Sequence, residues 1–481
     1  MRHPAARTLA ATAVASVTLA AAGPALADAH GLVGRTDLPI PRWLFAWAAA
    51  AVLVVSFVAL ATLWPKPRLE TATGPAPGRT LLTLPARAGE VLCAAFGMGV
   101  FLVTVYAGFA GTQDAPTANL APTVIYVVFW IGIPILSLVL GDVFRAFSPW
   151  RTAARLLQHA EARVRGADST PAAPRAYPER LGYWPAAAGI LVFAWVELIY
   201  TGRDDPSQLA TMAVAYAVVQ VVGMRRYGID AWTERADAFG VVFAFYGRIG
   251  PLFLEAGRLA TRPWLSALPA IKAVPGTVGL LCVMIGTTSY DGFSLGATWR
   301  DLAPDLTDVF ESAGLDFPQA YEVAQTIGMV VVVLLVAGLY RLGVEGMKSV
   351  GGTPRTDDLA GRFAHSLIPI SLAYVVAHYI SLLLFQGQAI WFLASDPLGD
   401  GTDLFGTADH RIDYFISATG IWYLQVGALV LGHAAGLVLA HDRALVLYRR
   451  PRDATRSQYW MLAVMVGFTS LGLWLLSAQG E

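Results

Sequence analysis

The histidines of this chain are the side chains best suited to chemistry, because an imidazole can bind a metal ion or carry a proton near neutral pH. His30 directly follows Ala27-Asp28-Ala29, a small-x-small pattern typical of cleavage by signal peptidase. If the cut follows Ala29, the mature chain begins with histidine. The free amine and the imidazole of one residue then form a chelate that suits Cu(II) and also Zn(II).

Two further histidines lie on the side of the predicted membrane that would hold His30. His378 lies on an apolar stretch, about 12 Å below its outer end at 1.5 Å per residue, and His410 lies in the polar loop that follows. Together with a carboxylate such as Asp291, these histidines predict an outer site for copper or zinc. The alternative for His30 is a polar amino terminus packed against the outer loops.

His365 and His433 form a second group, in the inner part of two neighbouring apolar stretches. Two histidines at similar depth on antiparallel helices could be the axial ligands of one haem or half of a proton relay. The alternative is a pair of hydrogen-bonded histidines inside a helix bundle, and this interpretation is favoured over haem. His378 has no histidine at its level on the neighbouring stretch, which argues against a second haem.

The composition predicts the kind of fold that positions these residues. Of 481 residues, 56% are hydrophobic and 14% are charged, whereas soluble domains have roughly 25% charged residues. The formal net charge is zero, so nothing indicates a nucleic-acid partner. We therefore expect an all-α, polytopic membrane helix bundle: residues 1–29 form a cleaved signal peptide and residues 30–481 form a single transmembrane domain.

Apolar stretches that approach the length needed to cross a bilayer predict ten spans. They cover residues 41–64, 90–111, 121–144, 183–201, 208–224, 275–290, 321–340, 362–386, 412–440 and 458–478. With His30 outside, the predicted inner loops and their helix ends hold 27 Lys and Arg residues and the outer segments hold five. This asymmetry predicts that the mature amino and carboxyl termini both lie outside the bacterial plasma membrane.

Three segments do not follow the simple pattern of apolar helices and polar loops. The apolar run in 237–253 is too short to span and predicts a re-entrant or interfacial helix on the inner side. The stretch 151–180, rich in Arg, Ala and Pro, predicts a flexible linker. The sixth span ends in the polar, glycine-flanked patch 286–292, which predicts a broken helix end and a candidate binding site.

Ionisable side chains at membrane depth are costly and are candidates for function. Glu197, in the fourth span, could be a pathway carboxylate or could pair with nearby Arg203. His441 and Asp442 stand together in a basic inner loop, where the sequence gives them little weight.

Several long motifs together resemble a known family. They are "AHGLVGRTDLPIPRWLFAWAAAAVLVVSF" (29–57), "GTTSYDGF" (286–293), "AHSLIPISLAYVVAHYISLLLFQGQ" (364–388), "SDPLGDGTDLFGTAD" (395–409) and "GHAAGLVLAHDRAL" (432–445). The chain resembles, from about residue 29 to its end, the multi-pass membrane proteins of actinobacteria that carry the name fenitrothion hydrolase. The resemblance implies hydrolysis of an organophosphate triester and carries over no catalytic residue.

Three interpretations of function remain. The resemblance favours a membrane-embedded, metal-assisted hydrolase that takes an apolar organophosphate ester at an outer-leaflet site. Ten spans and an amino-terminal histidine fit a multi-pass permease or a copper-handling protein without catalysis. An assembly subunit of a larger membrane complex is the third interpretation. The expected partners are the bilayer and a small apolar molecule or a metal ion, and the oligomeric state is open.

Overall fold

The computed structural model describes residues 42–70, 78–83, 86–165, 173–255, 257–349 and 358–478. The predicted signal peptide, its cleavage site and His30 lie outside these residues.

The described chain forms a helical bundle, in agreement with the predicted all-α class. The main helices are α1 (Arg42–Leu63), α2 (Ala86–Ala110), α3 (Leu120–Leu140), α4 (Pro149–Arg165), α5 (Trp184–Leu198), α6 (Pro206–Tyr227), α7 (Ile229–Arg235), α8 (Ala238–Gly247), α9 (Thr277–Ser294), α10 (Ala297–Ser312), α11 (Phe317–Ser349), α12 (Leu367–Phe385), α13 (Ile390–Ser395), α14 (Ala418–Leu447) and α15 (Pro451–Ala478). Within α3, residues Thr123–Gly132 are wound as a π-helix. Short helices also cover Phe144–Phe147 and Leu359–Phe363.

Seven helices of the described chain are long and apolar enough to cross a membrane, or eight if the bent pair α9–α10 is one span. Large apolar side chains are exposed on their outer faces, for example Leu92 and Phe96 on α2 and Val218 and Val222 on α6. Such surfaces suit contact with lipid rather than water. All ten predicted spans fall on helices, but α1 and α15 are not among the eight, so the number ten is not confirmed.

Two local predictions need correction. Residues 151–165 of the predicted linker belong to helix α4, which packs on α2 and α6. A small antiparallel sheet, which the sequence analysis did not predict, joins β1 (Arg79–Thr83), β3 (Arg258–Thr261) and β2 (Leu252–Glu255) in that order. The sheet brings together two loops that the distribution of charge places on the same side of the membrane.

Helix α12 lies at the centre of the bundle, where most of its side chains are buried. It packs closely on α14 because two glycines of α14 lack a side chain at the contact. A Cβ atom at Gly432 would lie 2.2 Å from the Cβ of Ala373, and one at Gly436 would lie 2.8 Å from the carbonyl oxygen of Ser366. Helix α9 approaches α11 in the same way at Gly286, where a Cβ would lie 2.7 Å from the Cα of Val333.

Candidate functional site

The polar patch 286–292 is part of a continuous helix, contrary to the predicted broken helix end. Thr287 and Thr288 donate their hydroxyl protons to the carbonyls of Val283 and Met284, one turn earlier, at 2.8 and 3.0 Å. These bonds satisfy the hydroxyl groups inside the helix, so the backbone does not have to open. The break comes after Ser294, where α10 leaves at an angle of 90° to α9.

Asp291 lies in the last turn of α9 and contacts His378 in the middle of α12. Its Oδ2 atom is 2.5 Å from the Nε2 atom of His378, and both side chains are 5% exposed. A carboxylate and an imidazole this close form a charge-assisted hydrogen bond when the ring carries a proton at Nε2. Two residues of the predicted outer site are therefore in direct contact.

Tyr379 connects this pair to a second buried carboxylate. Its hydroxyl donates to Asp291 Oδ2 at 3.1 Å and lies close to the buried carboxyl of Glu197, near the end of α5. A phenol has one proton to donate. If it donates to one carboxylate, it can bond the other only as an acceptor, which requires that second carboxyl to hold a proton. We call the side chains of Glu197, Asp291, His378 and Tyr379 the carboxylate cluster. This cluster can therefore bind an additional proton.

The contacts also bear on the two interpretations of Glu197. The guanidinium of Arg203 lies 3.8 Å from the carboxylate of Asp204 and donates to the carbonyl of Leu198 at 3.4 Å. Glu197 is instead buried and lies close to Tyr379. The sequence analysis missed Tyr379, and the available signal was its position directly after His378 in the apolar run of α12.

A second polar network fixes the bend next to the carboxylate cluster. The Tyr290 hydroxyl and the Trp299 indole both donate to Gln325 Oε1 on α11, the indole at 2.8 Å. Tyr290 precedes Asp291 in α9, and Trp299 lies in the first turn of α10. The network therefore holds the end of α9, and with it the Asp291 carboxylate, against α11.

The remaining ligands of the predicted metal site are not brought to this pair in the described chain. His410 is exposed in the loop before α14, where its backbone N–H donates to the carbonyl of Thr407. Among the described residues, no group of three or more His, Cys, Asp and Glu side chains could hold a metal ion. Because His30 lies outside these residues, the copper or zinc site with His30, His378, His410 and Asp291 stays a prediction.

The inner histidines are both buried and bonded to their own helical segments. His365 Nδ1 lies 3.1 Å from the carbonyl of Arg362, and His433 Nδ1 lies 2.7 Å from the carbonyl of Leu429. A carbonyl can only accept, so Nδ1 carries the proton in each ring and Nε2 carries a lone pair. Within the described chain, neither Nε2 atom has a hydrogen-bond partner. The predicted cofactor role of the two rings remains open.

The pair His441-Asp442 has a structural role that the sequence analysis undervalued. Asp442 is fully buried and accepts hydrogen bonds from the Trp64 indole and from three successive backbone N–H groups, at 2.6 to 3.0 Å. Those groups belong to residues 68–70, which follow α1. Glu70 also pairs with Arg443. Burial raises the pKa of the Glu70 carboxyl, and the Arg443 guanidinium opposes that rise.

The architecture and the carboxylate cluster define a helical protein with the surface and composition of a multi-pass membrane protein. Comparison with protein-family models, with curated proteins and with solved structures finds no match for this chain.

Proposed function

We propose that this chain is a multi-pass membrane transporter in which the carboxylate cluster binds and releases a proton during the transport cycle. The observation that carries the proposal is the single hydroxyl of Tyr379 between two buried carboxyl groups, Glu197 and Asp291. Ionisable groups inside a membrane bundle are expensive, and chains of Asp, Glu and His are the usual proton relays of transporters.

The chemistry follows from counting donors and acceptors. With one proton on the two carboxyl groups, the Tyr379 hydroxyl donates to the ionised one and accepts from the protonated one. Transfer of the carboxyl proton to the Tyr379 oxygen, together with transfer of the Tyr379 proton to the ionised carboxylate, exchanges the two roles. A further proton on His378 neutralises the remaining negative charge, so the loaded cluster carries no net charge, and release of one proton leaves a single negative charge that Asp291 and Glu197 share.

The placement in the cell is part of the proposal. The excess of Lys and Arg in alternate loops supports a bacterial plasma membrane, with both ends of the mature chain on the outer side. Asp291 and Glu197 then lie near the outer ends of α9 and α5, so the cluster would exchange protons with the outside.

Infrared difference spectroscopy on protein in lipid vesicles tests the stored proton directly. We expect the C=O band of a buried protonated carboxyl that changes with pH and is altered or lost in Glu197→Gln and in Asp291→Asn. Glu90→Gln, at an exposed position on α2, is the matched control and should leave the band unchanged. A band that is the same in all three variants would contradict the proposal.

Hydrolysis of an apolar phosphotriester is a second candidate, and the contact between Asp291 and His378 favours it. A carboxylate that holds one edge of an imidazole leaves the other nitrogen to act as a general base. His378 Nδ1 would take a proton from a water molecule while the water oxygen bonds to phosphorus and the aryloxide leaves with the electrons of the P–O bond. Fenitrothion hydrolysis by membranes containing the wild-type chain, with equal hydrolysis by His378→Ala, would exclude this role for His378.

A further inference from the structure

A small cavity lies inside the bundle, lined on α12 by Leu367 and Ile370, which precede His378 of the carboxylate cluster by two to three helical turns. It has a volume of about 20 Å³, enough for one water molecule or one bare metal ion. Helices α9, α11, α12, α14 and α15 surround it, and most of its lining is apolar. The groups with donor atoms are Tyr340, Ser366, His433, Met461 and Met465.

Two of these groups already donate hydrogen bonds to backbone carbonyls. The Tyr340 hydroxyl donates to the carbonyl of Ala360 and the Ser366 hydroxyl donates to that of Phe363, both at 2.7 Å. His433 differs, because its Nδ1–H is bonded to its own helix while its Nε2 lone pair has no partner within the described chain. An unpaired lone pair on a fully buried imidazole is costly.

The two sulfur atoms come from one face of α15. Met461 and Met465 are four positions apart, so their side chains lie on neighbouring turns, and both are almost fully buried. Helix α15 packs directly on α14, which carries His433. One imidazole and two thioether side chains therefore line the same small volume.

We propose that this cavity is a binding site for Cu(I), with His433 Nε2 and the sulfur atoms of Met461 and Met465 as ligands. Thioethers are soft ligands that select Cu(I) over harder ions, and imidazole also binds copper. No carboxylate or thiolate of the described chain lines the cavity. Without a negative ligand, the charge of a bound ion is not compensated in the cavity. The free-energy cost of burying that charge is lower for monovalent Cu(I) than for Zn²⁺ or Mg²⁺.

The site is independent of the proposed proton transport. It shares no residue with the carboxylate cluster, and it is distinct from the predicted outer site at His30. Failure of one proposal therefore leaves the other standing.

Anaerobic titration of the detergent-purified chain with Cu(I), against a chromophoric competitor, tests the site. We expect one Cu(I) per chain, and X-ray absorption should show one nitrogen and two sulfur neighbours. The double variant Met461→Leu/Met465→Leu keeps the volume of the side chains, so it should fold with a similar melting temperature. Loss of ligand atoms should weaken Cu(I) binding by at least ~10-fold.

Met329→Leu is the matched control, because Met329 is equally buried on α11 but does not line the cavity. It should bind Cu(I) as the wild type does. His433→Leu tests the nitrogen ligand separately and should remove the nitrogen neighbour. The proposal is overturned if the wild-type chain binds no Cu(I), or if the double variant binds it with unchanged affinity.

Discussion

The Nε2 atom of His378 lies 2.5 Å from the Oδ2 atom of Asp291, inside the bundle and on two helices that are distant in the sequence. Helix α9 carries the carboxylate in its last turn, and α12 carries the imidazole near its middle. Helix α5 adds Glu197, and the Tyr379 hydroxyl donates to Asp291 and lies close to Glu197. Three helices thus contribute ionisable groups to one buried cluster.

Removing the hydroxyl of Tyr379 should remove the group that connects the two carboxyl groups. Tyr379→Phe leaves Asp291 and Glu197 without their shared partner, which should lower the free energy of unfolding by about 1–3 kcal/mol. The pH at which the buried carboxyl band changes should also shift. Tyr374→Phe, on the same helix, loses a hydrogen bond to the carbonyl of Phe468 and should leave that pH unchanged. An equal effect of both variants on the band would contradict the role of Tyr379.

The close contact between α12 and α14 should be sensitive to a single methyl group at Gly432. In Gly432→Ala the new Cβ would meet the Cβ of Ala373 at 2.2 Å, so the helices must separate. We expect a loss of about 1–3 kcal/mol of stability from overpacking, measured as a lower melting temperature in detergent.

Gly427→Ala provides the control on the same helix, because nothing in the described chain lies within 4 Å of a Cβ at that position. It should be neutral or stabilising by up to about 1 kcal/mol, since alanine is the better helix former. Equal melting temperatures for the two variants would show that the contact at Gly432 has little effect on stability.

Asp442 should hold the segment after α1 in place. Asp442→Asn replaces one acceptor oxygen by an amide that faces N–H donors, so at least one backbone group of residues 68–70 loses its partner. Each unsatisfied buried group costs about 1–3 kcal/mol. We expect faster tryptic cleavage after Arg68 in this variant, and unchanged cleavage in Asp453→Asn, which lies in the first turn of α15.

Asp237 should make stability depend on pH. It is fully buried at the start of α8 and accepts hydrogen bonds from Trp150, Tyr216 and Gly240. Burial raises the pKa of its carboxyl to about 6, although these hydrogen bonds oppose the rise. Because the folded chain holds the proton more tightly than the unfolded chain, this carboxyl favours folding at low pH, and the contribution is lost as the pH rises through about 6.

The difference from the usual value of an aspartate corresponds to about 3 kcal/mol. As the pH falls from about 7.5 to about 5, the melting temperature of the wild-type chain should therefore rise relative to that of Asp237→Asn. The amide side chain of the variant cannot titrate, so the substitution removes this contribution while the other groups stay the same. A constant difference between the two proteins across this range would show that Asp237 does not titrate there.

The sequence by itself determined the class of fold, because the composition and the length of the apolar stretches can be read along the chain without any knowledge of tertiary contacts. It located a helix at each predicted span, marked Glu197 as a costly group at membrane depth, and selected Asp291 and His378 as candidate ligands of an outer metal site. The distribution of Lys and Arg also grouped loops that meet in the structure, such as those joined in the three-stranded sheet.

Only the tertiary structure decided which of these groups touch. The contact between Asp291 and His378, and the position of Tyr379, depend on how α5, α9 and α12 pack. That packing involves residues far apart in the sequence, such as Gly279 of α9 and Trp184 of α5. The polar patch 286–292 predicted a break, yet its hydroxyls bond to their own helix and Gly286 serves packing. Asp442 was undervalued for the same reason, since its four donors come from the other end of the chain.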